Sequence, residues 1–247
     1  MSRLSTRGLV LRRLPYSDTS QIVWVFTRDY GVVHMIAKGA LRLARPASPF
    51  PAPFDSASWY DLVLRGGRGD FHLALEGRLV EGFAHLRREL ETFLDVELAL
   101  EVMLKMFSPG DPHPEFLRGA LSYFKLLGVG KGRLALRNHF YAFLLRMVGL
   151  GPEWEVCSEC GDRVAAASVF VRVPRGWVCD SCRRGGEERV SRETVRYLAA
   201  DAQLGWGQVP AASVGAETTR EAWRILRLTL LYHLERPPHS LRYLRDG

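Results

Sequence analysis

Four cysteines carry the clearest chemistry in this chain. They stand in CSECGDRVAAASVFVRVPRGWVCDSC, residues 157 to 182, as two C-x-x-C pairs with eighteen residues between them. Each C-x-x-C turn points two thiolates at one ion, and a hairpin of that length brings the second pair back to complete a tetrahedron. The segment suits such a hairpin: SVFVRV and RGWVC are strand-like, and Pro174-Arg175-Gly176 makes the turn. The spacing predicts one structural Zn2+ on Cys157, Cys160, Cys179 and Cys182, in preference to two disulfides in a cytoplasmic protein. A hydrolytic zinc keeps a position open for water, whereas four thiolates close the shell. The expected role is a clamp.

One competing pattern is His113-Pro114-Glu115 upstream of Cys157-Ser158-Glu159-Cys160, a loose match to the H-x-E…P-C-x-x-C signature of zinc deaminases. No proline precedes Cys157, His113 lies in the break DPHPEF, and the second cysteine pair would have no role. Phosphate-binding glycine loops, H-E-x-x-H and G-x-S-x-G are absent from the sequence. The histidines are scattered, and His139 beside Phe140 and Tyr141 reads as packing. The expectation is a non-enzymatic protein.

The elements that must position these residues follow from periodicity. RGLVLRRL, SQIVWVFTRD, GVVHMIAKGA, SASWYDLVLRGG and DFHLALEGRLV are short runs of β-branched, aliphatic and aromatic residues separated by turn signals. DYG makes a tight turn, with Gly31 supplying a positive φ. The proline-rich connector LRLARPASPFPAP, 41–53, is a loop between the third and fourth strands. From residue 84 the period becomes helical. HLRRELETFLDVELALEVMLKMF places Leu86, Leu90, Phe93, Leu100, Leu104 and Phe107 along one stripe. Further helices follow in PEFLRGALSYFKLLG, GRLALRNHFYAFLLRMVGLGP, RETVRYLAADAQL with Ser191 as its N-cap, and ETTREAWRILRLTLLYHLE. The predicted fold is α+β. A five-stranded OB-type β-barrel over residues 1–82 precedes an α-helical domain over 83–247, into which a four-cysteine zinc ribbon is inserted at about 152–186.

A composition of 47% hydrophobic and 25% charged residues excludes a disordered chain. No stretch has the apolar length of a membrane span or signal core, so a cytoplasmic protein is expected. Net charge is +7, and residues 1–80 hold 11 Lys and Arg against 6 Asp and Glu. A basic barrel suggests a nucleic-acid partner. Barrels of this type track a strand with cations and stack bases on aromatic rings. Lys38, Arg42 and Arg45 run from the third strand into the long loop, Arg65 and Arg68 flank the turn RGGRG, and Arg12 and Arg13 lie in the first strand. Trp24, Phe26, Tyr30, His34, Trp59 and Tyr60 are candidate stacking rings, though most must fill the barrel. Alternation separates Ile22, Trp24 and Phe26 from Val23 and Val25 but leaves open which ring is exposed. Arg220, Arg224 and Arg227 on the last helix read as a solvated face.

GLVLRRLPYSDTSQIVWVFTRDYGVVHMIAKGA resembles the opening of the bacterial recombination mediator family RecO. FYAFLLRMVGLGPEWEVCSECG, then RGWVCDSC and VSRETVRYLAA, are similar to the zinc-bearing second half of that family. The resemblance runs over nearly the whole chain, in order. It implies binding of single- and double-stranded DNA, annealing of complementary strands and association with RecR. It further implies help in loading RecA onto DNA coated by single-strand binding protein (SSB), with RecF as a further candidate link. Zinc ligation by the four cysteines and a DNA surface around Lys38, Arg42 and Arg45 carry over. The alternative from the residues alone is a zinc-ribbon RNA-binding or transcription accessory protein.

Overall fold

The computed structural model describes residues 3–42, 49–66, 71–129, 132–164, 169–211 and 214–244. The chain divides into two compact units: Met1–Arg118 with Pro238–Ser240, and Gly119–Pro237 with Leu241–Gly247.

The first unit is built on a closed barrel of β1 (Arg3–Ser17), β2 (Ser20–Thr27), β3 (Gly31–Ala37), β4 (Trp59–Gly66) and β5 (Phe71–Glu81). Its order is β1-β2-β3-β5-β4, closed by β1 against β4; β3 and β5 pair in parallel and all other neighbours antiparallel. This is the OB-type barrel expected from the sequence. β1 is long enough to serve two partners: Arg3–Leu9 pairs with β4 and Gly8–Ser17 with β2. An irregularity between Val10 and Arg12 lets it turn the corner. Inward residues form the core, with Val10, Val23, Val25, Val33, Met35 and Leu62 fully or nearly buried. Phe54, just past the connector, joins that core. Gln21 holds it by accepting from the Phe54 N–H at 2.9 Å and donating to the Phe54 carbonyl at 3.2 Å. Gly77 is required beneath it, because a Cβ there would lie 2.4 Å from the Phe54 ring.

After β5, Phe83 adopts a left-handed conformation (φ 44°) and Ala84–Arg87 forms a single 3-10 turn. Glu89 is extended, and α1 runs Leu90–Met106. The helix expected from residue 85 therefore starts at Leu90, and its buried apolar residues are Val96, Leu98, Ala99, Leu100, Val102 and Met103. Leu90 and Phe93, expected to face inward, are exposed at 72% and 39%. α1 packs on β1. α2 (Pro114–Leu126) leads into the second unit.

There α3 (Arg133–Met147) is buried from Ala135 through Leu145 and forms the central strut. It is packed by α5 (Ala216–His233) and α4 (Arg192–Asp201). Arg137 lies over the Trp223 ring at 4.2 Å, and Asn138 donates to the Thr219 carbonyl. His139 is indeed packed: it is buried, 3.1 Å from Asp201, with the Trp206 ring nearly perpendicular to its own at 4.5 Å. Ser191 caps α4, accepting from the Thr194 N–H. Between α3 and α4 lies a small sheet, β7 (Gly176–Cys179), β6 (Val169–Arg172) and β8 (Glu188–Val190), in the order β7-β6-β8. The β6–β7 hairpin matches the expectation, and β8 adds a third strand beyond it.

Candidate metal centre and nucleic-acid face

The ribbon sheet folds the two cysteine turns together. The four Sγ atoms lie within 4.8 Å of one another, and Cys160 and Cys179 are 3.9 Å apart. Metal–sulfur bonds of about 2.3 Å place tetrahedral sulfurs about 3.8 Å apart, so the four fit one ion with little rearrangement. None is in a disulfide. Cys157 is buried against Phe170 and Val178, while Cys160 is exposed and the second pair half-buried. Burial opposes ionisation of the Cys157 thiol, but amide donors of Cys160, Cys179 and Glu159 outweigh it and bring its pKa down to about 6. The neighbouring thiols of Cys179 and Cys160 push Cys182 up to about 12. Such a group of thiols is one that a cation would relieve of mutual repulsion.

The second feature is the outer face of the barrel. Residues directly opposite on paired strands share a face. Arg12 is opposite Trp24, Trp24 opposite His34, and His34 opposite Phe71. One row thus crosses β1, β2, β3 and β5 on the outside. The Trp24 and His34 ring centroids are 5.7 Å apart, His34 and Phe71 again 5.7 Å, and the Arg12 guanidinium sits 5.3 Å from the Trp24 ring centre. Phe71 is 41% exposed. The next row is Leu14, Ile22, Ile36 and Leu73, and Arg65 of β4 lies opposite Leu73. Lys38 follows β3 at the end of this face, exposed. The exposed Arg42 sits in a turn tied to the β1–β2 turn by the Leu41 N–H, which donates to the Thr19 carbonyl at 3.0 Å. Among the described residues, no carboxylate pairs with Arg12, Lys38, Arg42 or Arg65.

Arg13 goes elsewhere: its Nε donates to Asp55, whose other oxygen accepts from Arg87. Arg45 and Arg68 lie outside the described residues. Of the six candidate rings, Trp24 and His34 are on this face. Phe26 shares its parity but is covered by Phe107, at 4.8 Å, and by Phe116. Tyr60 is buried, its hydroxyl accepting from the Asp55 N–H; Tyr30 packs on the core, and Trp59 is half-buried at the far end, opposite Glu81. Phe71 was not among the expected rings. Its strand was legible, but the parallel pairing that puts it beside His34 was not. On the last helix, Arg224 is paired to Glu188 and Arg220 is exposed. A cleft of about 960 Å³ on the β1–β4–β5 side holds Arg7, Arg28 and Arg78, each in an ion pair with Asp61 or Asp29. Its cations are therefore committed internally.

A five-stranded barrel with an aromatic and basic outer face, followed by a helical unit bearing a four-thiolate cluster, defines a class of barrel-plus-ribbon proteins. Residues 1–83 match the family described as recombination protein O N terminal, and residues 87–242 match recombination protein O C terminal. The chain belongs to the recombination protein O (RecO) family. It is 29% identical over its whole length to a protein named DNA repair protein RecO from Geobacter metallireducens, covering 98% of that protein. It is 30% identical to the protein of that name from Geobacter sulfurreducens, again over all of this chain and 99% of the relative. The Rhodopirellula baltica protein of the same name is 30% identical over 85% of this chain and 78% of its own length. No helix among the described residues is long and apolar enough to cross a membrane.

Proposed function

We propose that this chain is a DNA repair and recombination mediator that binds DNA on the outer face of its barrel. On this reading it anneals complementary strands and, with RecR, helps RecA onto single-stranded DNA coated by SSB, without catalytic turnover. The observation that carries the DNA-binding part is the row Arg12–Trp24–His34–Phe71, three rings and a guanidinium in one line across four strands. Unpaired bases stack on such rings, each contributing about 1–3 kcal/mol, and cations beside them neutralise phosphates. Lys38, Arg42 and Arg65 border the row. Arg45 and Arg68 belong to the same proposed surface by sequence position. Covering phosphates on two strands removes the repulsion that opposes their pairing.

The functional division is taken at residues 82 and 83, where the barrel ends. The cysteine cluster is read as a structural zinc site, since four thiolates in a tetrahedral arrangement suit that ion. When bound, zinc supplies the positive charge that holds four thiolates together, and Cys157, Cys160, Cys179 and Cys182 would be its ligands. Fluorescence anisotropy with labelled single-stranded DNA at rising salt tests the reading. The expected result is binding that weakens steeply with salt; no binding, or salt-insensitive binding, removes it. Annealing of SSB-coated complementary strands with and without RecR tests the mediator role.

A further inference from the structure

Arg172, the last residue of β6, makes contacts that coordinating a metal does not require. Its Nη1 donates to Glu159 Oε1 at 2.8 Å, and Glu159 lies inside the first cysteine turn, between Cys157 and Cys160. Its Nη2 donates to the Cys182 carbonyl at 3.1 Å, in the second turn. Its Nε donates at 3.0 Å to Glu187, just before β8, and Nη2 also reaches that carboxylate. One guanidinium therefore spans both cysteine turns and the approach to the third strand. Glu159 repeats the connection from its own side. It accepts from Arg184, two residues past Cys182, at 3.3 Å and from Arg175 in the hairpin turn at 3.4 Å. The Arg172 side chain is only 16% exposed and Glu187 only 9%, so that pair is better shielded than an ordinary surface ion pair, whereas Arg175 and Arg184 are largely exposed and add little. A planar fork with several fixed donors suits such a junction in a way a lysine ammonium does not.

We propose that Arg172 and Glu159 form a clasp that holds the two cysteine turns in register independently of the ion, presenting a preformed thiolate cluster. Small zinc ribbons commonly fold only on metal binding. Here the guanidinium network, the three-stranded sheet and the Trp177 indole donating to the Trp154 carbonyl supply that order in advance. Arg172 is a positioning residue: it touches no ligand sulfur and acts through the backbone and carboxylate of the turns that carry them. The second part of the inference, tighter metal retention, rests on the reading of the cluster as a zinc site.

Two measurements on the full chain separate the clasp from that reading. In the first, the protein is stripped with a chelator under reducing conditions, and amide exchange is followed over residues 169–179. The clasp predicts protection in the stripped wild type and its loss in Arg172→Met; a wild type that exchanges freely once stripped overturns the clasp. In the second, zinc affinity is measured by competition with a chromogenic chelator. Groups that orient ligands from behind change metal affinity by about 10–100-fold. Arg172→Met and Glu159→Gln should each fall in that range, the double variant should fall little further, and Arg172→Lys should rescue only in part. Variants within about twofold of wild type overturn the proposal. If wild type holds no zinc at all, the metal reading fails, and the exchange experiment alone decides the clasp.

Discussion

Trp24 and His34 face each other across β2 and β3 with ring centroids 5.7 Å apart, and both point away from the barrel core. On the proposed reading, that relationship sets which side of the barrel meets a base. Val23, Val25, Val33 and Met35, on the opposite parity of the same strands, fill the interior. Phe71 extends the row onto β5, and Arg12 starts it on β1.

Removing a ring from this row should cost stacking and leave the fold intact. Trp24→Ala is expected to weaken binding to single-stranded DNA by about tenfold, within the ~1–3 kcal/mol per stacked base seen on such platforms. Phe71→Ala should act in the same direction. Duplex binding, which offers no unstacked bases, should change less. Anisotropy with single- and double-stranded oligomers of equal length checks this, and equal losses on both would place the bases elsewhere.

The cations at the rim should act uniformly on sequence. Lys38→Gln with Arg42→Gln is expected to weaken binding to all oligomers alike and to flatten the salt dependence, by about one unit of slope for each phosphate that is no longer neutralised. A salt titration of the double variant against wild type measures it. An unchanged slope would mean that neither side chain reaches a phosphate.

On the zinc reading, loss of the metal should lower the stability of the ribbon region without erasing the order of the clasped turns, and should leave the barrel's own strand pairing intact. Cys179→Ser is expected to lower the zinc content from one ion per chain and reduce the melting temperature, since a structural ion contributes directly to folding. Elemental analysis paired with calorimetry checks both. A melting curve unchanged after verified metal loss would deny the cluster its structural role.

Asp61 links pH to the stability of the barrel. The Arg78 guanidinium, together with that of Arg7, holds its carboxyl below the usual carboxylate range against the opposing effect of burial. A depressed folded-state value contributes stability above the unfolded value, near pH 4, and loses it as pH falls through the folded value. Arg7 and Arg78 are largely exposed, so solvent screening keeps the contribution below about 1 kcal/mol. Asp61→Asn should therefore be slightly destabilising at pH 7, and its difference from wild type should shrink toward pH 3. Urea unfolding at the two pH values measures it; an equal difference at both would remove Asp61 from the acid response.

Much of this was legible without coordinates, because it depends on local order. The C-x-x-C spacings specify two turns and four soft thiol donors whatever the rest of the chain does. Alternation in GVVHMIA and the Ser191 cap are likewise decided within a few residues. The start of α1 was not legible: Leu86, Leu90 and Phe93 keep helical spacing, yet the left-handed Phe83 and extended Glu89 delay the helix, and the surfaces it packs against select a later stripe.

The sequence by itself determined the four clustered cysteines, the barrel-forming strands and the basic bias of the first third. Tertiary structure alone decided which of these residues act together. Phe26 and Trp24 have the same parity, but Phe107 and Phe116 cover only the first. Arg12 and Arg13 are adjacent, but Asp55 draws Arg13 aside while Arg12 stays over the Trp24 ring. Phe71 reaches His34 because β3 and β5 pair in parallel although β4 separates them in the chain, a long-range pairing that no local pattern encodes. Side-chain direction follows from a two-residue period, but exposure depends on what the rest of the chain lays on top.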